Sequence, residues 1–231
     1  MDSKNHWQNV YETKNSTAVS WFQEHANLSL ELIQQRNIDK HTPIIDVGGG
    51  ASTLVDDLLT ADFQALTVLD LAASALTVAQ TRLGQRSYQV TWLAADITRA
   101  DLPSNHYGLW HDRAVFHFLT TPEQRKAYVQ QVEHALQTGG YLLMATFALD
   151  GPLQCSGLPI VRYSPETLQA ELGTNFVLRE QRTETHLTPS GSVQNFVYCL
   201  FQKQTDTQLK SCCQNIDSHQ LELYNEVAID V

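Results

Sequence analysis

The sequence predicts an α/β fold, with a doubly wound, mostly parallel sheet that ends in an antiparallel hairpin. Three observations support this prediction. Short apolar runs typical of buried strands alternate with segments of helical periodicity. The first strand-like run leads directly into three consecutive glycines, Gly48, Gly49 and Gly50. Near the C-terminus, a turn containing Pro189 and Gly191 joins two last strand-like segments.

Composition fits one domain of this class and excludes several others. The 231 residues are 42% hydrophobic, which is enough for a sizeable core. The formal charge is −10 and Lys and Arg do not cluster, so we expect no nucleic-acid partner. No apolar run reaches membrane-spanning length and residues 1–6 lack a secretory pattern, so we expect a cytoplasmic protein without a membrane partner. The four cysteines lack metal-ligand spacing, and no metal is expected.

The chain divides into three predicted parts. Residues 1–24 are rich in aromatic side chains, without a strand or long helix pattern, and are interpreted as a cap. This cap either packs on the main domain, covers the site as a lid, or does both. Residues 25–203 form the main domain. Residues 204–231 form a tail, for which a peripheral helix, an interface element and a disordered terminus all stay open.

Strands and helices alternate along the main domain. Apolar runs and their flanking turn residues predict strands at 44–47, 65–70, 88–93, 108–112 and 141–147, and a hairpin formed by a strand from 176 and one over 193–202. Helical spacing predicts helices over 24–35, from 54, over 72–83, from 122 to the glycines at 139–140, and over 165–172.

Polar groups follow the carboxyl ends of the first four strands. These are the glycine turn, Asp70, Asp96 and the pair His111 and Asp112. Because ligands bind beyond the carboxyl ends of strands in such sheets, we expect these groups to converge on one crevice. Asp70 stands where an acid can accept hydrogen bonds from both ribose hydroxyls, and Asp96 suits an adenine amino group.

The glycine turn by itself leaves its ligand open among dinucleotides, nucleotide phosphates and S-adenosylmethionine (SAM). A phosphate loop is excluded because no Gly-Lys-Ser/Thr follows the turn. A dinucleotide fingerprint requires a third glycine where Thr53 stands. Acids after both the second and third strands favour an adenosine ligand that has no pyrophosphate.

The order and spacing of Ile44–Thr53, Asp70, Ala95–Ile97 and the terminal hairpin resemble the class I SAM-dependent methyltransferases over roughly residues 25–202. The resemblance implies SAM as the cofactor and a seven-stranded sheet of order 3-2-1-4-5-7-6, with the seventh strand antiparallel. Ser52 stands where the family often has the third glycine of its motif. The Ser52 hydroxyl is a candidate partner for the amino-acid end of SAM. The cofactor-binding residues that the resemblance implies are Asp46, Gly48, Gly49, Gly50, Ser52, Asp70, Leu71, Asp96 and Ile97.

The acceptor is predicted to be a small molecule in an enclosed pocket, because an aromatic cap and a long loop after the fifth strand suit enclosure. A lysine of a partner protein and a nonenzymatic SAM-binding module are the alternatives. Methyl transfer mainly requires alignment, and a base only if the acceptor is protonated. His111, Asp112 and His117 are the candidate catalytic residues, although each histidine alone is equally consistent with a structural role. The candidate substrate-binding residues are Trp7, Tyr11, Trp21, Arg113 and Arg162.

Overall fold

A computed structural model describes residues 3–205 of the chain. Six α-helices are present there: α1 (Ser3–Thr13), α2 (Asn27–Gln34), α3 (Leu54–Thr60), α4 (Ala73–Leu83), α5 (Pro122–Ala135) and α6 (Pro165–Leu172). The strands are β1 (Ile44–Val47), β2 (Leu66–Asp70), β3 (Val90–Ala94), β4 (Tyr107–Arg113), β5 (Leu136–Phe147), β6 (Gln154–Cys155), β7 (Leu158–Pro159), β8 (Phe176–Leu187) and β9 (Val193–Lys203). Residues 206–231 of the predicted tail lie outside the described part.

Seven strands form one sheet in the order β3-β2-β1-β4-β5-β9-β8. Strands β1 to β5 run parallel, and β9 is antiparallel to both β5 and β8. When the small β6–β7 hairpin is left out of the count, this order matches the predicted one. The strand order reverses between β1 and β4, so a crevice opens beyond their carboxyl ends. The fold prediction is confirmed.

Helices cover both faces of the sheet because successive strand residues point to opposite sides. Ile44 and Leu109 pack with α2 and α3 on one face, whereas Ile45 and Trp110 pack with α5 on the other. Every residue of β1 and β2 is buried, as expected for central parallel strands covered twice. No helix within residues 3–205 is both long and apolar enough to cross a membrane.

Besides the small β6–β7 hairpin, which lies in the predicted loop after the fifth strand, α1 and β5 differ from their predictions. Residues 3–13 form a helix although their sequence shows no long helical pattern, and Trp7 and Tyr11 on this helix pack against Trp21. Strand β5 begins at Leu136 and includes Gly140, which was predicted to end the preceding helix. A side chain at Gly140 would lie only 3.0 Å from the carbonyl oxygen of Gly108 on β4. Close strand approach, rather than helix termination, therefore explains this glycine.

Candidate active site

A large cavity of about 430 Å³ lies beyond the carboxyl ends of the parallel strands, with α1 forming part of its wall. This volume lies within the usual range for small-ligand sites. One part of the lining follows β1, β2 and β3, namely Gly48, Asp70, Leu71, Asp96 and Ile97. Since β5 and β9 lie on the other side of β1 in the sheet order, their residues line the opposite part. The cavity thus joins two chemically different regions.

A small cavity of about 50 Å³ lies next to the large one. Both cavities are lined by Tyr11, Trp21, Gly48 and Arg113. The small cavity adds the carboxyl group of Asp46 and the turn around Gly49. These four residues therefore form a common wall between the two cavities.

The glycines of the turn are required by close packing. Gly48 has a φ of 72°, in the region that favours glycine, and a side chain there would collide with Val115. A side chain at Gly49 would collide with the carboxyl oxygen Oδ2 of Asp46, and one at Gly50 would lie 2.6 Å from Oδ2 of Asp70. The turn is consequently a backbone surface against which a ligand can lie directly.

Asp70 is buried at the end of β2 and lines the large cavity. Its Oδ1 accepts a hydrogen bond from the Ala72 backbone N–H at 2.8 Å, and its Oδ2 accepts one from the Gly50 N–H at 3.1 Å. Burial raises the pKa of Asp70 to about 6, although these backbone hydrogen bonds oppose the shift. The two carboxyl oxygens have about four lone-pair directions, so the backbone bonds from Ala72, Gly50 and Leu71 leave room for a ligand hydroxyl.

Asp96 follows β3 and also lines the large cavity, beside the buried Ile97. Its Oδ1 accepts hydrogen bonds from both the backbone N–H and the hydroxyl of Thr98, at 2.9 and 2.7 Å. This local turn fixes the direction of the carboxyl group.

The structure divides the predicted site residues into three groups. Those that line the large cavity are Trp7, Tyr11, Trp21, Gly48, Asp70, Leu71, Asp96, Ile97 and Arg113. Those that line the small cavity without reaching the large one are Asp46, Gly49, Ser52 and His111. Those in the lining of neither are Gly50, Asp112, His117 and Arg162.

Asp112 is fully buried and serves the local backbone. Its carboxyl group accepts hydrogen bonds from the Val115 and Phe116 N–H groups and from the Tyr128 hydroxyl. Burial raises the pKa of Asp112 to about 6, and the bond from Tyr128 partly offsets the shift. All its contacts are with the protein core, so this placement does not support the predicted catalytic role.

His117 is also fully buried, between Phe118 and Phe147. Its Nδ1 accepts a hydrogen bond from the Phe147 backbone N–H at 3.3 Å. Burial first, and then the charge of Arg113, lower the pKa of His117 to about 3, so the ring is neutral at physiological pH. The placement gives a catalytic role for His117 no support either.

A neutral buried His117 makes a testable contribution to acid stability. The unfolded chain binds a proton at this ring near pH 6.5 and the folded chain only near pH 3, so unfolding free energy should decrease as pH falls through this window. We expect His117→Asn, whose Oδ1 can replace Nδ1 as acceptor, to lose less stability than the wild type between pH 6.5 and 4. Denaturant titrations at several pH values measure this slope. His41→Asn, at an exposed histidine, is the control variant. A pH slope of the unfolding free energy in His117→Asn equal to that of the wild type and of this control would contradict the prediction.

The two predicted arginines differ in position. Arg113 lines both cavities and is held by the Tyr198 hydroxyl at 2.8 Å and by Glu184 at 3.1 Å. Its guanidinium also lies 4.3 Å from the centre of the Phe196 ring. Arg162 donates to the Gly151 carbonyl oxygen at 3.2 Å. Arg113 therefore belongs to the cavity wall, whereas Arg162 supports the loop after β5.

An aromatic wall surrounds the second part of the large cavity. It consists of Trp7, Tyr11, Trp21, Phe118, Phe147 and Phe196. Trp7 lies in the middle of this wall, with ring centres 5.6 Å from Trp21 and 5.1 Å from Phe118. Sequence reasoning found the three residues of the cap but missed the three phenylalanines, which come from the turn after β4, from β5 and from β9. Their only sequence signal was that each lies in or beside an apolar run.

A family model described as "Methyltransferase domain" matches residues 44–140, which contain β1 to β4 and the glycine turn. Residues 44–140 are therefore similar to a methyltransferase domain. This match supports the predicted family over residues 44–140. A search of curated protein sequences found no match.

Solved structures share the fold of this chain far beyond the matched residues. One, solved in work on the conversion of a disulfide bond into a thioacetal group during echinomycin biosynthesis, is 13% identical, with a TM-score of 0.73 over 93% of this chain and 99% of that chain. A SAM-dependent methyltransferase from Anabaena variabilis is 15% identical, with a TM-score of 0.68 over 88% and 96%. The 1,6-didemethyltoxoflavin-N1-methyltransferase of Burkholderia thailandensis, with its substrate and S-adenosylhomocysteine bound, is 14% identical, with a TM-score of 0.60 over 88% and 84%.

Proposed function

We propose that this methyltransferase domain transfers the methyl group of SAM to a small-molecule nucleophile inside the large cavity. The observation that carries the proposal is the composition of the cavity wall. Its first part offers the glycine turn and the carboxyl groups of Asp70 and Asp96, and its second part is aromatic. The first part suits an adenosine ligand and the second suits an apolar acceptor.

The residues at the strand ends fit SAM. Gly48 lines both cavities and exposes its backbone to them without a side chain, since a side chain there would collide with Val115. Asp70 keeps free lone pairs for the ribose, and Asp96 lies beside an apolar wall suited to adenine. In the small cavity, the Oδ2 of Asp46 is buried without a partner within residues 3–205, which fits a cationic end group.

SAM supplies an electrophilic methyl group, so the protein mainly needs to align the nucleophile and exclude water. The aromatic wall performs both tasks, because six large rings restrict an acceptor to few orientations and displace solvent. The positively charged guanidinium of Arg113 lies at this wall. The carboxylate of Glu184 balances its charge, with Oε2 3.1 Å from Arg113 Nη2. We assign Asp112 and His117 structural roles behind the wall, since both are fully buried and the Asp112 carboxyl group and His117 Nδ1 accept hydrogen bonds from the backbone.

A small-molecule acceptor agrees with the neighbour whose named substrate is 1,6-didemethyltoxoflavin. Helix α1 also narrows access to the cavity, since Trp7 and Tyr11 line it and the Gln8 carbonyl oxygen accepts a hydrogen bond from the Ser74 hydroxyl on α4. A protein lysine would need an open groove leading to the methyl group. No described feature of this wall favours that alternative.

The proposal is tested by calorimetric titration of the purified chain with SAM, S-adenosylhomocysteine and NAD. Binding of the first two without NAD is the expected result, and tight NAD binding without a SAM response would overturn it. Mass spectrometry of small-molecule extracts and of protein lysate, each incubated with enzyme and SAM, then identifies the acceptor class. A methyl increment confined to lysine-containing proteins would favour the protein-lysine alternative.

Trp7→Ala is expected to weaken acceptor binding selectively. The substitution removes the ring that contacts Trp21 and Phe118 in the aromatic wall, while the residues after β2 and β3 are untouched. We expect the KM for the acceptor found by the screen to rise about tenfold, and the Kd for S-adenosylhomocysteine to change by less than about threefold. Tyr88→Ala is the matched aromatic control because Tyr88 is 91% exposed. Equal losses for acceptor and S-adenosylhomocysteine would argue against the assignment of this wall.

A further inference from the structure

The buried side chains of Ser29, His111 and Asp46 form a hydrogen-bonded chain behind the glycine turn. His111 Nδ1 lies 2.7 Å from Asp46 Oδ1, and His111 Nε2 lies 2.9 Å from the Ser29 hydroxyl. The Asp46 carboxylate can only accept, so His111 Nδ1 donates to it, and the second ring nitrogen, Nε2, shares its hydrogen bond with the Ser29 hydroxyl. All three side chains are buried. Both ring nitrogens of His111 are thus occupied, and a proton-transfer role with substrate has no free nitrogen.

The topology explains why these three residues meet. Asp46 and His111 are register partners on the neighbouring parallel strands β1 and β4, so their side chains leave the sheet on the same face. Ser29 lies on the buried side of α2, which packs on that face. Three separate elements therefore fix the position of one imidazole ring.

The chain leaves one carboxyl oxygen for a ligand. His111 binds Oδ1 of Asp46, whereas Oδ2 is buried and has no hydrogen-bond partner within residues 3–205. This oxygen lies under Gly49, since a side chain at that position would collide with it. A buried carboxyl oxygen without a partner is costly unless a donor or cation reaches it. The small cavity beside it adjoins the large one through Gly48 and Tyr11.

We infer that His111 is a positioning residue, which holds the Asp46 carboxylate so that its Oδ2 receives the ammonium group at the amino-acid end of the cofactor. The inference rests on the proposed function, because it takes SAM to be the ligand of the large cavity. Ser29 fixes the ring from the other side. Loss of His111 would free the carboxylate to rotate and would remove a buried donor, so the ammonium group would lose a preorganised partner.

The test compares two ligands that share an adenosine part. S-adenosylhomocysteine carries the ammonium group, whereas 5′-methylthioadenosine lacks the whole amino-acid end. We expect His111→Ala to weaken S-adenosylhomocysteine binding roughly tenfold to hundredfold in calorimetry, while 5′-methylthioadenosine binding changes less than about twofold. His111→Asn, whose side-chain amide can still donate to Asp46, should recover part of the affinity. Ser29→Ala should show a weaker loss with the same selectivity.

Double substitution separates positioning from a general effect on folding. Asp46→Asn should show the same selective loss, and His111→Ala should add little to it if the histidine acts only through Asp46. Equal weakening of both ligands by His111→Ala and His111→Asn would overturn the inference in favour of a structural role. Unchanged S-adenosylhomocysteine binding in both would also overturn it. Failure of the wild type to bind either ligand would instead refute the proposed function.

Discussion

Asp70→Ala is expected to weaken S-adenosylhomocysteine binding by about a hundredfold. Under the proposed function the carboxylate accepts hydrogen bonds from the ribose hydroxyls, and charged acceptors contribute more than neutral ones. The substitution also removes the acceptor of the Gly50 N–H, and so loosens the glycine turn itself. Calorimetry measures the affinity. Asp101→Ala, at an exposed carboxylate outside the cavity lining, is the matched control and should bind normally.

The pH dependence of this binding provides a second measurement. Burial raises the pKa of Asp70 to about 6, so the carboxyl group loses its proton as pH rises from 5 to 7. Because the ionised form is the better acceptor for two hydroxyls, affinity for S-adenosylhomocysteine should increase over this range in the wild type. The increase should be smaller in Asp70→Ala. Wild-type affinity in the variant, or an identical pH profile, would show that Asp70 does not contact the ligand.

Asp112→Ala is expected to be the most destabilising of these substitutions, at about 3 kcal/mol of unfolding free energy. The change leaves the Val115 and Phe116 N–H groups and the Tyr128 hydroxyl without their acceptor in a fully buried site. It also opens a cavity between β4 and α5. For a chain of this size, about 3 kcal/mol corresponds to a decrease in Tm of roughly 6–12 °C. Calorimetric or fluorescence-monitored unfolding measures the change.

Tyr128→Phe is the control for this network. It keeps the ring, which packs against Trp110 and Phe116, and removes only the hydroxyl. Trp110 Nε1–H then loses its acceptor at 2.9 Å, so a smaller loss of about 1–2 kcal/mol is expected. If Asp112→Ala were as stable as the wild type but failed to transfer a methyl group, the residue would be catalytic, and the structural assignment would be refuted.

Much of the cofactor side of the site follows from local sequence. The glycine turn, Asp70 and Asp96 each end a strand that apolar runs predict, and parallel strands bring their carboxyl ends to one edge. The structure places Gly48, Asp70, Leu71, Asp96 and Ile97 in the lining of one cavity, as this reasoning expects. Their binding roles stay predictions that the Asp70 experiment addresses.

The roles of the polar residues at the end of β4 could not be read from sequence. His111, Asp112 and His117 form one short segment, yet they face different environments. His111 bonds to Asp46 and Ser29, Asp112 to the turn that follows it, and His117 to the backbone of β5. These partners are as many as 82 residues apart in the chain. Only the packed fold decides which of these three side chains meets a distant partner and which reaches the cavity.

By itself the sequence determined the strand and helix order, the glycine turn and the acids that follow the strands. These features depend on local periodicity and backbone freedom, which neighbouring residues control. Only the tertiary structure decided that α1 is a helix, that phenylalanines of three further segments complete the aromatic wall, and that His111 lies behind Asp46. Each of these depends on contacts between distant segments, where burial of apolar rings and pairing of buried polar groups outweigh local preference.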